Sequence, residues 1–203
     1  MIKMNEILAY LDELYPNPKC ELNYNQDYEL VIATMLSAQT TDKRVNQVTE
    51  ILFKKYPSLE ALSKANLEDI KKIIRPIGTY NKKASNIIAI AKMLNENGLK
   101  NDRDLLESLP GVGRKTANVV LSNIYEEQFI AVDTHVRRVS IRLGLANIKD
   151  DVLVIEKKLT KKVPLESRSK FHHQMVLFGR YHCKAIKPEC ENCKLKSICK
   201  KKD

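Results

Sequence analysis

Apolar residues recur along the chain at intervals of three and four, which is the period of an amphipathic α-helix. The first such stripe consists of Ile7, Leu8, Leu11 and Leu14. Similar stripes follow at residues 28–36, 45–53, 84–94, 117–124, 136–143, 152–159 and 171–178. No stretch of the sequence shows the sustained alternation of a half-buried β-strand. The pattern therefore predicts an all-α protein.

Residues that end helices separate these stripes. Pro57-Ser58, Asn97-Gly98 and Gly144 are examples, and glycine and proline are of the type that stops a helix. After about Gly179 the apolar periodicity ends, and cysteine, lysine and proline become the common residues. Such a tail cannot bury a hydrophobic core of its own, so we expect a further component to order it.

The charge of the chain points to a class of partner. Lysine and arginine number 35 against 25 acidic residues among the 203, which gives a formal charge of +10. This excess favours a polyanion such as nucleic acid, because each phosphate contact releases condensed counterions. Charge alone leaves a second interpretation open, namely a solvated basic surface with no such partner.

The sequence gives no sign of a membrane segment. No apolar run reaches the roughly 20 residues that cross a bilayer, and residues 1–15 carry three acidic residues and no signal-peptide block. We therefore expect no membrane partner and a cytoplasmic, nucleoid-associated location. In that reducing compartment, cysteines bind metals more often than they pair as disulfides. Since the sequence gives no evidence for an oligomer, we also expect a monomer.

Four of the five cysteines fall within the last 21 residues. Cys183, Cys190, Cys193 and Cys199 have the spacing C-x6-C-x2-C-x5-C. Thiolates are ligands of both zinc and iron–sulfur clusters. The longer spacers favour an object larger than one ion, although spacing alone leaves zinc open. Cys20 stands apart and is interpreted as an ordinary buried thiol.

Lysines lie between and around these ligands, at Lys184, Lys187, Lys194 and Lys196. A loop pinned by a metal centre holds such side chains at fixed positions, where they can contact phosphates. We therefore interpret the centre as structural. It would order a basic DNA-contact loop and take no part in bond chemistry.

A glycine-rich turn, Leu109-Pro110-Gly111-Val112-Gly113, precedes a helix that is predicted to begin near Arg114. Two glycines two positions apart allow a tight turn with exposed backbone N–H groups, and helix amino termini attract anions. A second predicted helix, at residues 102–109, comes before the turn. Together these features predict a helix-hairpin-helix phosphate site formed by Gly111, Val112, Gly113 and Arg114.

Two further residues are candidates for bond chemistry. Lys115 lies in the first turn of the helix after the hairpin. It is either a surface lysine that contacts phosphate or a nucleophile, since a like-signed dipole and desolvation favour the neutral amine. Asp133 stands where a helix N-cap is expected, and a capping carboxylate that also faces a cleft can stabilise a forming cation. His135 is interpreted as a packed histidine and not as a metal ligand.

Four blocks of the sequence together resemble the endonuclease III family. They are residues 36–42 (Leu-Ser-Ala-Gln-Thr-Thr-Asp), 109–117 (Leu-Pro-Gly-Val-Gly-Arg-Lys-Thr-Ala), 132–135 (Val-Asp-Thr-His) and the complete cysteine pattern at 183–199. The blocks span nearly the whole chain in the family's order and spacing. Each block occurs more widely, but the four together are specific.

The resemblance implies a two-domain helix-hairpin-helix DNA glycosylase fold with a C-terminal iron–sulfur cluster loop. One domain would be a six-helix bundle at residues 20–129, and the other would join residues 1–19 to 130–203. Lys115 and Asp133 would face each other across the cleft between the domains. The resemblance also implies that the four cysteines hold one [4Fe–4S] cluster.

The implied activity is that of a bifunctional glycosylase and AP lyase on double-stranded DNA that contains damaged pyrimidines or abasic sites. An oxidised pyrimidine is flipped out of the duplex, Lys115 displaces it by attack on C1′ with help from Asp133, and β-elimination cuts the strand. Gln39 would fill the vacated position. The family's Gly-Leu-Tyr-Asn wedge segment is Gly-Thr-Tyr-Asn at 78–81 here, so Thr79 replaces the wedge leucine.

Alternatives of other classes stay open. A monofunctional relative, such as the adenine-specific glycosylase, generally lacks a lysine at the position of Lys115 and carries an acidic residue in the helix before the Gln39 block. Ala33 and Thr34 stand in that neighbourhood here, with Glu29 further back. A non-catalytic cluster-containing DNA sensor needs no nucleophile. A zinc-stapled structural protein is the third alternative.

Overall fold

Every regular element among residues 2–200, the part of the chain that the structure describes, is helical. The structure is a computed structural model. Its α-helices are α1 (Ile2–Leu14), α2 (Asp27–Leu36), α3 (Asp42–Lys55), α4 (Leu59–Ser63), α5 (Leu67–Ile74), α6 (Tyr80–Asn97), α7 (Arg103–Ser108), α8 (Arg114–Ile124), α9 (Thr134–Arg142), α10 (Val152–Lys162) and α11 (Arg168–Leu177). Short 3-10 helices lie at Leu165–Ser167 and Lys196–Ile198, and a π-helical turn at Phe178–His182. The all-α prediction is confirmed.

The helices follow the predicted stripes closely, and all eight stripes lie within one residue of a helical segment. Helices α4 and α5 have no predicted counterpart. Helix α4 is five residues long, too short for its apolar residues to define a period. Helix α5 does carry Leu67, Ile70 and Ile74 at helical spacing, and the prediction overlooked it. None of the described helices combines the length and the apolar character that a membrane span requires.

The chain divides into two compact units. We call residues 20–125 the hairpin unit, and the described residues 2–19 and 126–200 the cysteine unit. The division lies shortly before the predicted domain boundary at residue 129, and the domain assignment built on that boundary stays a prediction. Met1 and residues 201–203, which the second predicted domain includes, lie outside the described residues.

The hairpin unit is built around α2. Leu30, Val31, Ile32 and Ala33 are all fully buried, so α2 is apolar on every side and not along a single stripe. Helices α3, α6 and α8 pack against it. The unit contains seven helices, α2 to α8.

The cysteine unit joins the two ends of the described chain. Helix α1 packs on α11, and its apolar stripe supplies Ile7 and Leu11 to a core that also contains Phe171 and Met175. The Gln174 side chain adds polar contacts by donating to Asp12 Oδ1 at 2.7 Å and to the Tyr15 carbonyl at 3.0 Å. The amino-terminal helix is therefore part of the core of a unit whose other residues lie more than a hundred positions later.

Candidate functional site

The predicted helix-hairpin-helix is present in the hairpin unit. Helix α7 begins after the N-cap Asp102, and α8 begins at Arg114 with Gly113 as its N-cap. Between the helices, Leu109 and Val112 are buried, and the Val112 N–H donates to the Leu109 carbonyl at 3.0 Å. Two apolar anchors therefore hold the turn and leave its remaining backbone at the surface.

Gly111 is required in this turn for two separate reasons. Its φ of +82° lies in the left-handed region, which side chains other than glycine's rarely adopt. A Cβ at this position would lie 2.5 Å from Asn86 Nδ2 of α6 and 3.2 Å from Met35 Cγ of α2. The hairpin turn thus rests directly on two helices of its unit.

Arg114 and Lys115, the first two residues of α8, are both exposed. No side chain caps this helix start. Its backbone N–H groups and its positive dipole end therefore favour an anion at this point. Lys115 extends from the same exposed turn, where an incoming electrophile can reach its amine.

Gln39 and Thr79 share an uncommon backbone conformation. Both are exposed, and both have a left-handed φ, of 59° and 56° respectively. For a β-branched residue such as Thr79 this conformation is strained. The Thr79 hydroxyl donates to the Gly78 carbonyl at 2.7 Å, so its proton is engaged by the neighbouring residue.

Glu29, the acidic residue nearest to the Gln39 block on its helix, is committed to capping. It is 4% exposed, and its carboxylate accepts from the backbone N–H groups of Asn25 at 2.6 Å and Gln26 at 3.2 Å. Both contacts close the first turn of α2. This buried carboxylate therefore supports the fold.

In the cysteine unit, Asp133 occupies the predicted N-cap position of α9. Its Oδ1 accepts from the Val136 N–H at 2.7 Å, and the residue is half-buried. A capping bond fixes the side chain at the helix start while part of the residue stays accessible. The geometry thus fulfils the N-cap role that the sequence predicts for Asp133.

His135 is packed, as predicted. Burial lowers the pKa of its imidazole, partly offset by the nearby Asp133. A Cβ on Gly179 would lie 2.8 Å from the Cβ of His135, so this glycine permits the close approach. The Arg138 guanidinium lies 3.2 Å from His135 Nδ1 and donates to the Gly179 carbonyl at 2.6 Å.

The four cysteines of the predicted centre line one cavity of about 50 Å³. Its wall also includes the apolar side chains of Leu143, Phe178 and Leu195. Burial raises the pKa of the Cys193 thiol. Among residues 2–200, no three potential metal ligands lie close enough together to hold one metal ion. The four cysteines place four sulfur donors around a partly apolar cavity. A donor set of this kind fits a sulfur-ligated group.

Arg142 anchors the start of the cysteine loop. Its guanidinium donates to the carbonyls of Cys183, Lys184 and Ala185 at 3.2, 2.6 and 3.3 Å, and to Cys183 Sγ at 3.3 Å. Sequence reasoning missed this residue, because a basic residue beside an apolar stripe is usually on a solvated face. Only the fold brings α9 next to a loop some forty residues away.

The four predicted DNA-contact lysines of the loop fall into two groups. Lys187 and Lys196 are exposed. Lys184 pairs with Glu189 at 2.7 Å, and Lys194 pairs with Glu13 at 2.6 Å. Both ion pairs are solvent-accessible, and such pairs are weak enough to exchange for phosphate.

Comparison with known proteins first defines the class. Residues 32–165 match the family model described as "HhH-GPD superfamily base excision DNA repair protein". The matched segment contains the hairpin, Gln39, Thr79, Lys115 and Asp133. The fold and the match together identify a helix-hairpin-helix protein of base excision repair.

Relatives at higher identity define the family. Endonuclease III of Bacillus subtilis (strain 168) is 48% identical over 206 residues, which cover 98% of this chain and 94% of the relative. A solved structure of a trapped endonuclease III–DNA covalent intermediate, an estranged-adenine complex, superposes with a TM-score of 0.93 at 47% identity and covers 98% of this chain and 94% of its own. A non-covalent endonuclease III–DNA complex gives 0.94 at 46% identity, with the same coverage. The chain belongs to the endonuclease III family.

Proposed function

We propose that this protein is a bifunctional DNA glycosylase and AP lyase that removes oxidised pyrimidines from duplex DNA. The observation that carries the proposal is the similarity, over 98% of this chain, to an endonuclease III trapped as a covalent intermediate with DNA. A covalent intermediate requires a nucleophile on the protein. Lys115, exposed at the start of α8, is the residue that we assign to this role.

The chemistry begins with the amine of Lys115. Its lone pair attacks C1′ of the flipped nucleotide, and the bond to the damaged base breaks with its electron pair leaving on the base. Opening of the sugar gives a Schiff base between Lys115 and C1′. Loss of a proton from C2′ then expels the 3′ phosphate by β-elimination, which cuts the strand, and hydrolysis releases the lysine.

Asp133 assists the first step. Its carboxylate accepts a proton from the attacking amine and stabilises positive charge on the sugar as the base departs. The capping bond to the Val136 N–H holds one carboxylate oxygen, so the side chain has a fixed orientation. An aspartate that also caps a helix is in this way positioned before substrate binds.

The remaining predicted residues bind the duplex. The backbone N–H groups of Gly111, Val112 and Gly113 and the side chain of Arg114 contact phosphates. Gln39 fills the space that the flipped nucleotide leaves, and Thr79 stands at the wedge. Lys184, Lys187, Lys194 and Lys196 contact phosphates from the cysteine loop. Because its substrate is duplex DNA, we place the protein on the nucleoid.

Cys183, Cys190, Cys193 and Cys199 hold a [4Fe–4S] cluster in this proposal. Four thiols around a partly apolar cavity are the ligands that such a cluster requires. When bound, the cluster orders the loop and supplies no bond chemistry. Arg142 adds a hydrogen bond to the sulfur of Cys183, a contact of the kind that supports a metal centre from outside its ligand shell.

Borohydride trapping on a duplex that contains thymine glycol tests the proposal. We expect wild type to form a covalent adduct and Lys115→Ala to form none, since reduction captures the Schiff base. An adduct that persists in Lys115→Ala would move the nucleophile elsewhere. Base release by wild type without trapping would favour a monofunctional glycosylase, and no release at all would favour a non-catalytic sensor.

A further inference from the structure

Gln39 and Thr79 come from different segments of the hairpin unit, yet one residue contacts both segments. Lys83 lies in the first turn of α6, four residues after Thr79, and its backbone N–H donates to the Thr79 carbonyl at 3.2 Å. Its ammonium group donates to the carbonyls of Leu36 at 2.9 Å and Ala38 at 2.7 Å. Ala38 is the residue immediately before Gln39.

The position of this lysine is costly to maintain. Lys83 is only 5% exposed, and burial lowers the pKa of its ammonium group. Within residues 2–200, no carboxylate pairs with it, and the two carbonyls are the partners that the structure shows. Burying a cation that only carbonyl dipoles compensate costs free energy, and an apolar side chain in the same core position would not carry this cost.

Two residues of the same region have strained backbone conformations. Gln39 and Thr79 both adopt left-handed backbone conformations that their side chains disfavour. Strained conformations of this kind persist only where surrounding contacts hold them, and they cluster at binding sites. The Lys83 side chain contributes to holding the first of them, because its ammonium group binds two carbonyls at the end of α2 just before Gln39. The backbone bond to the Thr79 carbonyl would form with any residue at position 83.

Lys83 is unsuited to act as the nucleophile itself. Its amine is buried, and its protons are directed at two backbone carbonyls, so attack on a sugar carbon would require both bonds to break and the core to open. Lys115 is exposed by contrast. The pKa of Lys83 is lowered because of its burial, and this shift has a structural cause and no catalytic one.

We propose that Lys83 is a positioning residue whose side chain holds Gln39 in the conformation that engages the DNA stack beside a flipped nucleotide. This inference rests on the proposed function, because it needs Gln39 to contact DNA. Lys83 touches neither substrate nor the reacting atoms. Its loss should leave the chemistry at Lys115 intact and weaken only the step in which the duplex is opened.

The test compares strand cleavage at an abasic site in duplex DNA with cleavage in the same strand left single, under single-turnover conditions. A single strand has no stack to fill, so it reports the chemistry alone. We expect Lys83→Met to slow duplex cleavage by roughly 10-fold through misplaced contacts and to leave the single-strand rate unchanged. Lys92→Met, which removes the same charge from an exposed position on α6, should leave both rates unchanged.

A double-mutant cycle with Gln39→Ala sharpens the test. If Lys83 acts through Gln39, the combined loss in duplex cleavage will be clearly smaller than the product of the two single losses. Fully multiplicative losses, or an unchanged duplex-to-single-strand ratio in Lys83→Met, would overturn the inference. Wild type inactive on both substrates would instead overturn the proposed function.

Folding is checked first by circular dichroism and thermal melting. If Lys83→Met loses its helical spectrum, Lys83→Gln takes its place, because the amide retains a donor for one carbonyl. Partial recovery of the duplex rate in Lys83→Gln supports the positioning role. Loss of the fold in both variants would overturn it, since Lys83 would then be needed for the core itself.

Discussion

The hairpin unit and the loop of the cysteine unit at residues 183–199 position their candidate residues in opposite ways. In the hairpin unit, backbone conformation positions the residues, which lie at helix ends, with left-handed φ values at Gln39, Thr79 and Gly111. In the cysteine unit, the loop after the π-helical turn has little regular structure, and side chains such as Arg142 and Leu195 hold it. The conformation of a site made of helix ends is therefore easily disturbed by an added atom. The conformation of a loop held by a few side chains is instead easily disturbed when one of those side chains is removed.

The largest effect is expected for an added methyl group in the hairpin. Gly111→Ala combines a left-handed φ with a clash against Asn86 and Met35, and we expect it to lower the free energy of unfolding by about 2–5 kcal/mol. It should also weaken binding to duplex DNA, because the amides of the turn move. Chemical denaturation and fluorescence anisotropy measure the two effects.

Gly98→Ala is the matched control for this variant. Gly98 also has a left-handed φ, of 69°, but nothing lies within 4 Å of the position that its Cβ would take. We expect only the backbone cost, about 1–2 kcal/mol, and unchanged DNA affinity. Equal losses in the two variants would show that the hairpin does not depend on the close approach to α2 and α6.

The cysteine unit should respond most to the loss of an anchor. Leu195 is 2% exposed and belongs to the core of the unit, so Leu195→Ala should cost about 2–4 kcal/mol. Ile186 lies in the same loop but is 81% exposed, and Ile186→Ala should change stability by less than about 0.5 kcal/mol. Hydrogen exchange in the loop provides the readout, and equal protection in both variants would contradict the anchor role.

The two units should also differ in their response to acid. All four histidines lie in the cysteine unit, and burial lowers the pKa of His173. The folded state keeps this imidazole neutral, whereas the unfolded state takes up a proton near pH 6.5. Stability is therefore fully present above pH 6.5 and falls as the pH drops below it, by at most about 2 kcal/mol at pH 5 for one proton.

Hydrogen exchange resolved by unit, after correction for intrinsic rates, measures this difference. We expect protection in the cysteine unit to fall between pH 7 and 5 while the hairpin unit changes little. His173→Gln should reduce the dependence but not abolish it, because burial also lowers the pKa of His135 in the same unit. The same slope in both units, or an unaltered slope in the variant, would assign the acid response to other groups.

The smallest effect is expected for the ion pairs of the loop. Glu13→Gln and Glu189→Gln release Lys194 and Lys184 from their carboxylates, so DNA affinity at low salt should rise by about 2- to 3-fold, as exposed pairs are weak. Glu191→Gln removes the same charge from an exposed residue nearby. A gain as large in Glu191→Gln would mean that only net charge matters.

Sequence periodicity predicted most of the fold because most helices here are long enough to repeat their apolar pattern. The hairpin was equally accessible, since Gly111, Gly113 and the N-cap Asp102 carry local signals for turns and caps. Helix α4 carried too little pattern to be seen. The tail was only partly understood, because Leu195 joins a core formed by distant residues.

The contacts that support the site were the hardest to predict. Lys83 and Arg142 look in the sequence like solvated charges, and only tertiary packing directs them at backbone carbonyls. The left-handed conformation of Gln39 carries no glycine to signal it. Residues with a strong local preference, such as glycine in a turn, can be recognised in the sequence. Residues whose role depends on contacts between distant segments cannot.

The division of the cysteine unit between the two ends of the chain has a consequence during synthesis. Helix α1 leaves the ribosome before the other described helices, but its partners in the core, Phe171 and Met175, are made more than 150 residues later. At about 5–20 residues per second, the apolar face of α1 waits roughly 8–30 seconds for them. A truncated or stalled chain would therefore leave this apolar face exposed to solvent, and exposed apolar surface is what chaperones and proteases recognise.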